Sequence, residues 1–130
     1  MWPHSEAAYQ AAKFSRDQWH EFAFMTPSQA KKEGQIRSIR DDWNEVRVEI
    51  MRSVVSAKFE QNPSLMSKLV LTGEARLEEG NTWKDRFWGI CPPGSGNGEN
   101  HLGQILMDIR AKECNSLQII RKRDIINYDF

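Results

Sequence analysis

The chain has 130 residues, of which 18 are basic and 18 acidic, so its formal net charge at pH 7 is zero. A chain of this length is typical of one domain with a single core, and its balanced charge gives no global field that favours nucleic acid or an anionic membrane. The longest apolar run, residues 22–25, is too short for a membrane span, and the N-terminus has no signal-peptide core, so we expect a cytoplasmic protein.

The first predicted helix covers the alanine-rich run at residues 6–14, and Ser5 is its expected cap. One face of this helix carries an acid, a phenol, an amide and an amine at helical spacing: Glu6, Tyr9, Gln10 and Lys13. Ala8 and Ala12 beside this face would allow another element to approach closely. A solvated helix surface is the usual meaning of such a face, and a ligand site is the alternative.

A clear helix start follows a cluster of apolar residues that we expect in the core: Trp19, Phe22, Phe24 and Met25. Thr26 is the expected cap of a helix that begins at Pro27, and Gln29 completes a capping box. This helix is predicted to span residues 27–33 and to end at Gly34, because glycine favours helix ends.

The longest predicted helix spans about residues 42–59. Its apolar stripe is expected to face the core: Trp43, Val46, Ile50, Val54 and Ala57. Asn62 is the expected cap of the next helix, which begins at Pro63 and stops at Gly73. The predicted buried face of that helix consists of four residues: Leu65, Met66, Leu69 and Val70.

Residues 72–110 combine acids, tryptophans and glycines without clear periodicity. Three acids lie close to two tryptophans along this stretch: Glu78, Glu79, Asp85, Trp83 and Trp88. Large aromatics and carboxylates on an ordered loop are more typical of a ligand site than of a plain surface. The alternative is that both tryptophans belong to the core and that the acids are solvated.

The remaining elements are a short extended piece at residues 75–79, a loop at residues 80–99 and a helix that starts near Asn100. The glycine run 94–98 is similar to a phosphate cradle, but it lacks the Walker lysine and a preceding strand, so a flexible linker is the simpler interpretation. The exposed start of the helix that follows could hold an anion. The apolar pairs at 119–120 and 125–126 fit either a packed final element or a partner-binding tail.

These elements predict a mainly α protein, a single compact helical domain of about five helices with at most a small extended piece. Metal and acyl-transfer chemistry are poor candidates, because three histidines and two cysteines lack metal-ligand spacing and no serine lies in a nucleophile elbow. A reduced pair, Cys91 and Cys114, is the simplest interpretation of the cysteines. Carboxylate, lysine and aromatic chemistry remains, and it suits the cleavage of a glycosidic bond, where positive charge develops at the anomeric carbon.

Several motifs in one order, up to Arg110, resemble the NADAR superfamily, also called the YbiA-like family. The matching pieces are residues 2–14, Trp43 with Arg47 and Met51, Lys58-Phe59, residues 71–73, residues 79–83 with Asp85, Trp88-Gly89, Gly98, residues 100–103 and residues 106–110. The resemblance implies a mainly helical N-glycosidase that acts on ribosyl compounds. Some members hydrolyse early riboflavin-pathway intermediates, and others remove ADP-ribose from guanine bases.

The resemblance implies four catalytic residues: Glu6, Lys13, Glu79 and Asp85. Glu6 and Lys13 would face the ribose, and Glu79 or Asp85 would lie nearest the anomeric carbon. It also implies five substrate-binding residues: Tyr9, Trp83, Trp88, Asn100 and Arg110. The two tryptophans would be stacking walls, with a core role as the alternative for Trp88, and Asn100 and Arg110 would contact phosphate or ribose. The helix face with Glu6 and Lys13 is expected to meet Glu79 and Asp85 across one cleft.

The expected partner is a small ribosyl nucleotide substrate, with ADP-ribosylated nucleic acid as a second kind, and no cofactor or metal is expected. Family members usually carry a segment with a Ser-Asn-Phe-like motif before the Trp-Pro, which this sequence has at residues 2–3. The expected domain, residues 1–130, lacks that segment through truncation, a wrong start site or a real loss. The alternatives to an enzyme are therefore a non-catalytic ADP-ribose or nucleotide-binding module and a helical interaction domain.

Overall fold

The computed structural model describes residues 4–14 and 16–128, with side chains of the last helix described up to residue 118. Within these ranges the chain forms six α-helices, a short 3-10 turn and no sheet. The helices are α1 (Ser5–Ala11), α2 (Trp19–Phe22), α3 (Pro27–Ile36), α4 (Trp43–Glu60), α5 (Pro63–Leu71) and α6 (His101–Tyr128). The prediction of a mainly α fold is confirmed. The motif residues at positions 2 and 3 lie outside the described residues.

The chain divides into two units, residues 1–58 and residues 59–130. The core of the first unit consists of five buried residues from three neighbouring helices and the turn after α1: Ala7, Ala11, Phe14, Phe22 and Ala30. The alanines that allow close approach are thus Ala7 and Ala11, one position before the expected Ala8 and Ala12. The expected core residue Phe24 is exposed, which corrects that prediction.

The start of α1 differs from the sequence prediction, because His4 and not Ser5 is the cap. Nδ1 of His4 accepts a hydrogen bond of 3.0 Å from the backbone N–H of Ala7. The other ring nitrogen lies 2.7 Å from the carbonyl oxygen of Met25, so the imidazole joins the start of α1 to the start of α3. The helix also ends earlier than expected, at Ala11, and the chain turns through residues 12–14.

Helix α3 has the predicted capping box, in which Thr26 and Gln29 bond each other's backbone N–H. Its predicted end at Gly34 is wrong, since the helix continues to Ile36. Gly34 lies where α1 approaches most closely, and a Cβ added to it would overlap the side chain of Gln10. This glycine therefore serves close packing between helices and not helix termination.

Helix α4 confirms the helix predicted over residues 42–59 to within one residue at each end. The prediction that it is the longest helix is wrong, because α6 has 28 residues and α4 has 18. Trp43 is buried, and its ring lies 5.3 Å from that of Tyr9 in a tilted arrangement. The second buried residue of α4 is Val55, whereas the predicted Val54 is only half-buried. Trp43 thus anchors this helix to the turn of α1 that carries Tyr9.

In the second unit, α5 packs against α6. Gly73 stops α5 as predicted, with a positive φ of 65° that favours glycine. Asn62 occupies the cap position of α5 without a side-chain cap hydrogen bond. In α6, Ile105 and Ile109 are buried, and the helix continues beyond Cys114. The apolar pairs at 119–120 and 125–126 are predicted to form either a packed final element or a partner-binding tail. Their side chains lie outside the described residues.

Extended structure in the second unit is limited, in the described ranges, to one parallel bridge between Gly80 and Ile90. This bridge directly follows residues 75–79, which are predicted as extended, and it joins two positions of the loop that comes after them. Neither Cys91 nor Cys114 forms a disulfide. None of the helices in the described ranges combines the length and the apolar character that crossing a membrane would need.

Candidate active site

The predicted polar face runs along α1 into the turn that carries Lys13, and it is buried in its middle and half-exposed at its ends. Tyr9 and Gln10 are buried, whereas Glu6 and Lys13 are half-buried. Nε2 of Gln10 donates a hydrogen bond of 2.9 Å to Oε1 of Glu6. A fully solvated face, the usual meaning of this pattern, is therefore excluded, since two of its four polar side chains are withdrawn from water.

Lys13 lies against two aromatic rings of the first unit. Its Nζ is 5.5 Å from the ring centroid of Tyr9 and 5.7 Å from that of Trp43, distances at which a cation is attracted to a ring face. Burial lowers the pKa of Lys13 below its ordinary value, Glu6 opposes this shift and Lys31 adds to it. An amine with a lowered pKa is a stronger acid than an ordinary lysine, which suits a proton donor.

In the second unit, the backbone of Glu79 is fixed from both sides. Its N–H donates to Oδ1 of Asn100 at 3.0 Å, and its carbonyl accepts from the N–H of Ile90 at 2.8 Å. Its carboxylate lies directly against Gly89, where an added Cβ would overlap both Oε2 and the carbonyl oxygen of Glu79. Nδ2 of Asn81 is 3.5 Å from Oε2, a long contact. Glu79 therefore occupies a defined place against the loop.

Asp85 uses one carboxylate oxygen to hold the loop. Its Oδ1 accepts hydrogen bonds from the backbone N–H groups of Phe87 at 3.1 Å and Trp88 at 2.9 Å. The buried amide of Asn81 bonds both the backbone carbonyl of Asp85, at 2.7 Å, and its N–H, at 3.0 Å. This geometry gives Asp85 a role in loop structure, and its predicted catalytic role stays a prediction.

The two tryptophans of the loop have different environments. Trp83 is 65% exposed, which leaves its indole available for stacking. Trp88 is half-buried, with its ring 4.8 Å from Phe87 in an edge-to-face arrangement and 6.3 Å from His101. Trp88 thus belongs to an aromatic cluster at the start of α6, and Trp83 is the better candidate for a stacking surface.

Asn100 and Arg110 form contacts within the second unit. Asn100 is 1% exposed, and besides bonding Glu79 it donates from Nδ2 to the carbonyl of Leu77 at 2.9 Å. Its φ of 53° is one that asparagine tolerates well. Nη1 of the buried Arg110 donates to Oγ1 of Thr72 at 2.8 Å, which joins α6 to the end of α5. Their predicted contacts with phosphate or ribose stay predictions.

The glycine run at residues 94–98 is a hydrogen-bonded turn and not the expected linker. Oγ of Ser95 donates to the carbonyl of Pro92 and accepts from the N–H of Asn97, whose carbonyl in turn accepts from the N–H of Cys91. Gly98 packs so closely on the carbonyl of Gly89 that a Cβ would overlap it.

The start of α6 has fewer free donors than expected for an anion site. The N–H groups of His101 and Leu102 already donate to the carbonyls of Phe87 and Trp88. These hydrogen bonds instead fix the loop to the helix. The expectation of an anion at this helix start is therefore corrected for these two donors.

The predicted residues are divided between the two units. Glu6, Tyr9 and Lys13 lie in the first unit, and the second holds the other six: Glu79, Trp83, Asp85, Trp88, Asn100 and Arg110. That both groups line one cleft stays a prediction. Sequence reasoning did not assign Gln10 or Asn81 to the site, although helical spacing placed Gln10 beside Glu6.

A family model described as the NADAR domain matches residues 1–112 of the chain. The chain belongs to the NADAR family. N-glycosidase YbiA of Escherichia coli is 38% identical over 113 residues, an alignment that covers 84% of this chain and 69% of that protein. The NMR structure of E. coli YbiA matches this chain with a TM-score of 0.78 at 36% sequence identity. The match covers 90% of this chain and 70% of the YbiA chain.

A riboflavin biosynthesis protein of Vibrio vulnificus, VVA0006, is 41% identical over 113 residues. The alignment covers 84% of this chain but only 30% of that protein, so the chain spans less than a third of this relative. The names of these NADAR relatives agree with the prediction of a hydrolase that acts on N-glycosyl bonds.

Proposed function

We propose that this NADAR chain is an N-glycosidase that hydrolyses the bond between a phosphorylated or ADP-linked ribose and a nitrogenous base. The observation that carries the proposal is the arrangement of side chains along α1 and the turn that follows it. A half-exposed carboxylate, Glu6, is held by a buried amide, and an amine with a lowered pKa, Lys13, lies over two aromatic rings. This is the chemistry that remained after metal and acyl-transfer chemistry were set aside.

The proposed reaction breaks the bond from the anomeric carbon to the base nitrogen and adds a water hydroxyl to that carbon. Positive charge develops on the ribose ring as the bond breaks, and a fixed carboxylate such as Glu6 stabilises it or takes a proton from the attacking water. The leaving nitrogen receives the bonding electrons and needs a proton. Lys13 is the proposed donor, because its lowered pKa favours proton release.

The loop of the second unit supplies the other groups of the proposal. Glu79 is the second carboxylate, seated against Gly89. Trp83 provides an exposed indole on which a base can stack. The main role of Asp85 in this proposal is to hold the loop between Asn81 and Trp88 in its conformation.

Two substrate classes follow from the family. The name of VVA0006, a riboflavin biosynthesis protein, favours the first class, for which we propose a phosphoribosyl pyrimidine of that pathway. Guanine bases that carry ADP-ribose, in free nucleotide or in nucleic acid, are the second class. A cytoplasmic location is part of the proposal.

The test is incubation of the protein with each substrate class and detection of the released base. The proposal expects release by the wild-type chain and loss of release in Glu6→Gln. If ribosyl ligands raise the melting temperature without any turnover, the chain is a binding module and the enzyme proposal fails. If no ribosyl ligand changes the melting temperature and no base is released, a helical interaction domain is the remaining class.

A further inference from the structure

Gln10 is the buried polar side chain that contacts the proposed carboxylate of α1. It is 5% exposed, and its Nε2 donates to Oε1 of Glu6 at 2.9 Å. The two residues are four apart on one helix, so the contact follows from helix geometry and needs no loop to form it. Gln10 belongs to the same face as Lys13 but lies deeper in the first unit.

The amide of Gln10 lies against α3 at a position where the helix has a glycine. The site of a Cβ at Gly34 overlaps Oε1 of Gln10 and lies 2.8 Å from its Cδ. Rotating the amide by half a turn would place its oxygen against a carboxylate oxygen of Glu6, so that two acceptors would face each other. Gly34 therefore leaves room for the amide, and the carboxylate of Glu6 selects the orientation in which the N–H points at Glu6.

This arrangement is costly for stability alone. Oε1 of Gln10 is buried without a hydrogen-bond partner, and a buried polar atom left unpaired destabilises a fold. An aliphatic side chain of similar length would fill the same space beside α3 without that cost. The feature that the amide adds is its hydrogen bond to Glu6.

We propose that Gln10 is a positioning residue that holds the Glu6 carboxylate in one rotamer, oriented for the reaction. The inference rests on the proposed function, in which Glu6 acts on the ribose. Gln10 itself touches no reacting atom and acts through Glu6. Gly34 is also needed for this arrangement, because only a residue without a side chain leaves space for the Gln10 amide.

The kinetic test compares Gln10→Met with wild type on the phosphoribosyl pyrimidine. A small misplacement of a catalytic group can cost up to ~100-fold, so we expect kcat to fall about tenfold or more while KM changes little. In a Glu6→Gln background, Gln10→Met should cause no further loss, because its effect passes through Glu6. Additive losses in the double variant would overturn the proposal.

A matched control is Gln29→Met on α3. Gln29 is also a hydrogen-bonded glutamine, but it caps α3 and is exposed. Its replacement should lower the melting temperature without changing kcat. An equal loss of kcat in both variants would mean that Gln10 acts only through stability, which contradicts the proposal.

The second measurement does not depend on turnover. Three-bond couplings of the Glu6 side chain, measured by NMR, should report one rotamer in wild type and averaging in Gln10→Met. If Gln10→Met fails to fold, Gly34→Ala gives the same test, since it displaces only the end of a flexible side chain. Couplings that are unchanged in the variant would overturn the role of Gln10. If the couplings are averaged in the variant but the wild-type protein shows no turnover, the role of Gln10 stands and the proposed function is refuted.

Discussion

Glu6 of α1 and Asp85 of the loop at residues 80–99 differ in how many of their hydrogen bonds support the fold. Glu6 accepts a hydrogen bond from the side chain of Gln10 on the same helix. Oδ1 of Asp85 accepts hydrogen bonds from two backbone N–H groups of the loop. A helix satisfies its own backbone, so its side chains are free for chemistry, whereas an irregular loop must use side chains to satisfy its backbone. The acids that matter for structure and for catalysis are therefore separable by experiment.

The two regions nevertheless share one device. In α1, the amide of Gln10 bonds a carboxylate and lies against Gly34. In the loop, the carboxylate of Glu79 lies against Gly89, and the amide of Asn81 is its neighbour. In both, a glycine leaves space for a polar side chain, which is the amide of Gln10 at Gly34 and the carboxylate of Glu79 at Gly89. A Cβ at Gly34 would meet only the side chain of Gln10, whereas a Cβ at Gly89 would also overlap the backbone carbonyl of Glu79.

The largest expected effect in the loop is that of Glu79→Gln. We expect turnover to fall by roughly 10²- to 10⁴-fold, the usual contribution of a positioned acid or base, with the melting temperature retained. The measurement is kcat together with thermal unfolding. Normal turnover by this variant would remove Glu79 from the catalytic set.

Trp43→Ala tests the core of the first unit. Trp43 is buried against Tyr9, so its removal should lower the free energy of unfolding by ~3–5 kcal/mol. Urea unfolding monitored by circular dichroism measures the loss. A folded variant with an unchanged melting temperature would reject Trp43 as the anchor of α4.

Trp83→Ala is the matched change in the second unit, where the indole is exposed. Stability should stay within about 0.5 kcal/mol of wild type, as for most surface changes. If a base stacks on this indole, KM should rise by roughly 5- to 150-fold, which corresponds to the ~1–3 kcal/mol that base stacking contributes. An unchanged KM would show that Trp83 is not a stacking surface.

The smallest expected effect is the pH dependence caused by Lys13. Because burial lowers its pKa in the folded chain, the unfolded chain binds the extra proton between that lowered pKa and the ordinary value of 10.5. Stability should therefore rise with pH through this window, relative to Lys13→Met, which lacks the group. The variant should be the more stable protein at pH 7, with the difference shrinking towards pH 10. Parallel stability curves for the two proteins would contradict the buried placement of Lys13.

The parts of the fold that follow from local chemistry were predictable. The capping box of Thr26 and Gln29 and the stop at Gly73 depend on residues within one helical turn, and both are confirmed. Gly34 was read as a helix end because its partner, Gln10, is distant in sequence. The cap of α1 was assigned to Ser5 because serine caps more often than histidine, yet His4 also reaches Met25.

The candidate site was predictable only in its residue types. Spacing on α1 placed Glu6, Gln10 and Lys13 on one face, but it could not show that Gln10 is buried. For the loop, the sequence could not show which polar atoms the backbone uses. Asn100 bonds Leu77 and Glu79, which lie more than twenty positions earlier, and such pairings leave no local pattern.

The most direct test of the comparison measures kcat and the free energy of unfolding for Glu6→Gln and Asp85→Ala side by side. We expect Glu6→Gln to lose at least about 100-fold in kcat with stability unchanged. Asp85→Ala should lose roughly 1.5–3 kcal/mol of stability for each charged hydrogen bond that is left without an acceptor. Full turnover by Glu6→Gln, or an Asp85→Ala variant as stable as wild type, would contradict the separation between an acid that serves catalysis and an acid that serves the loop.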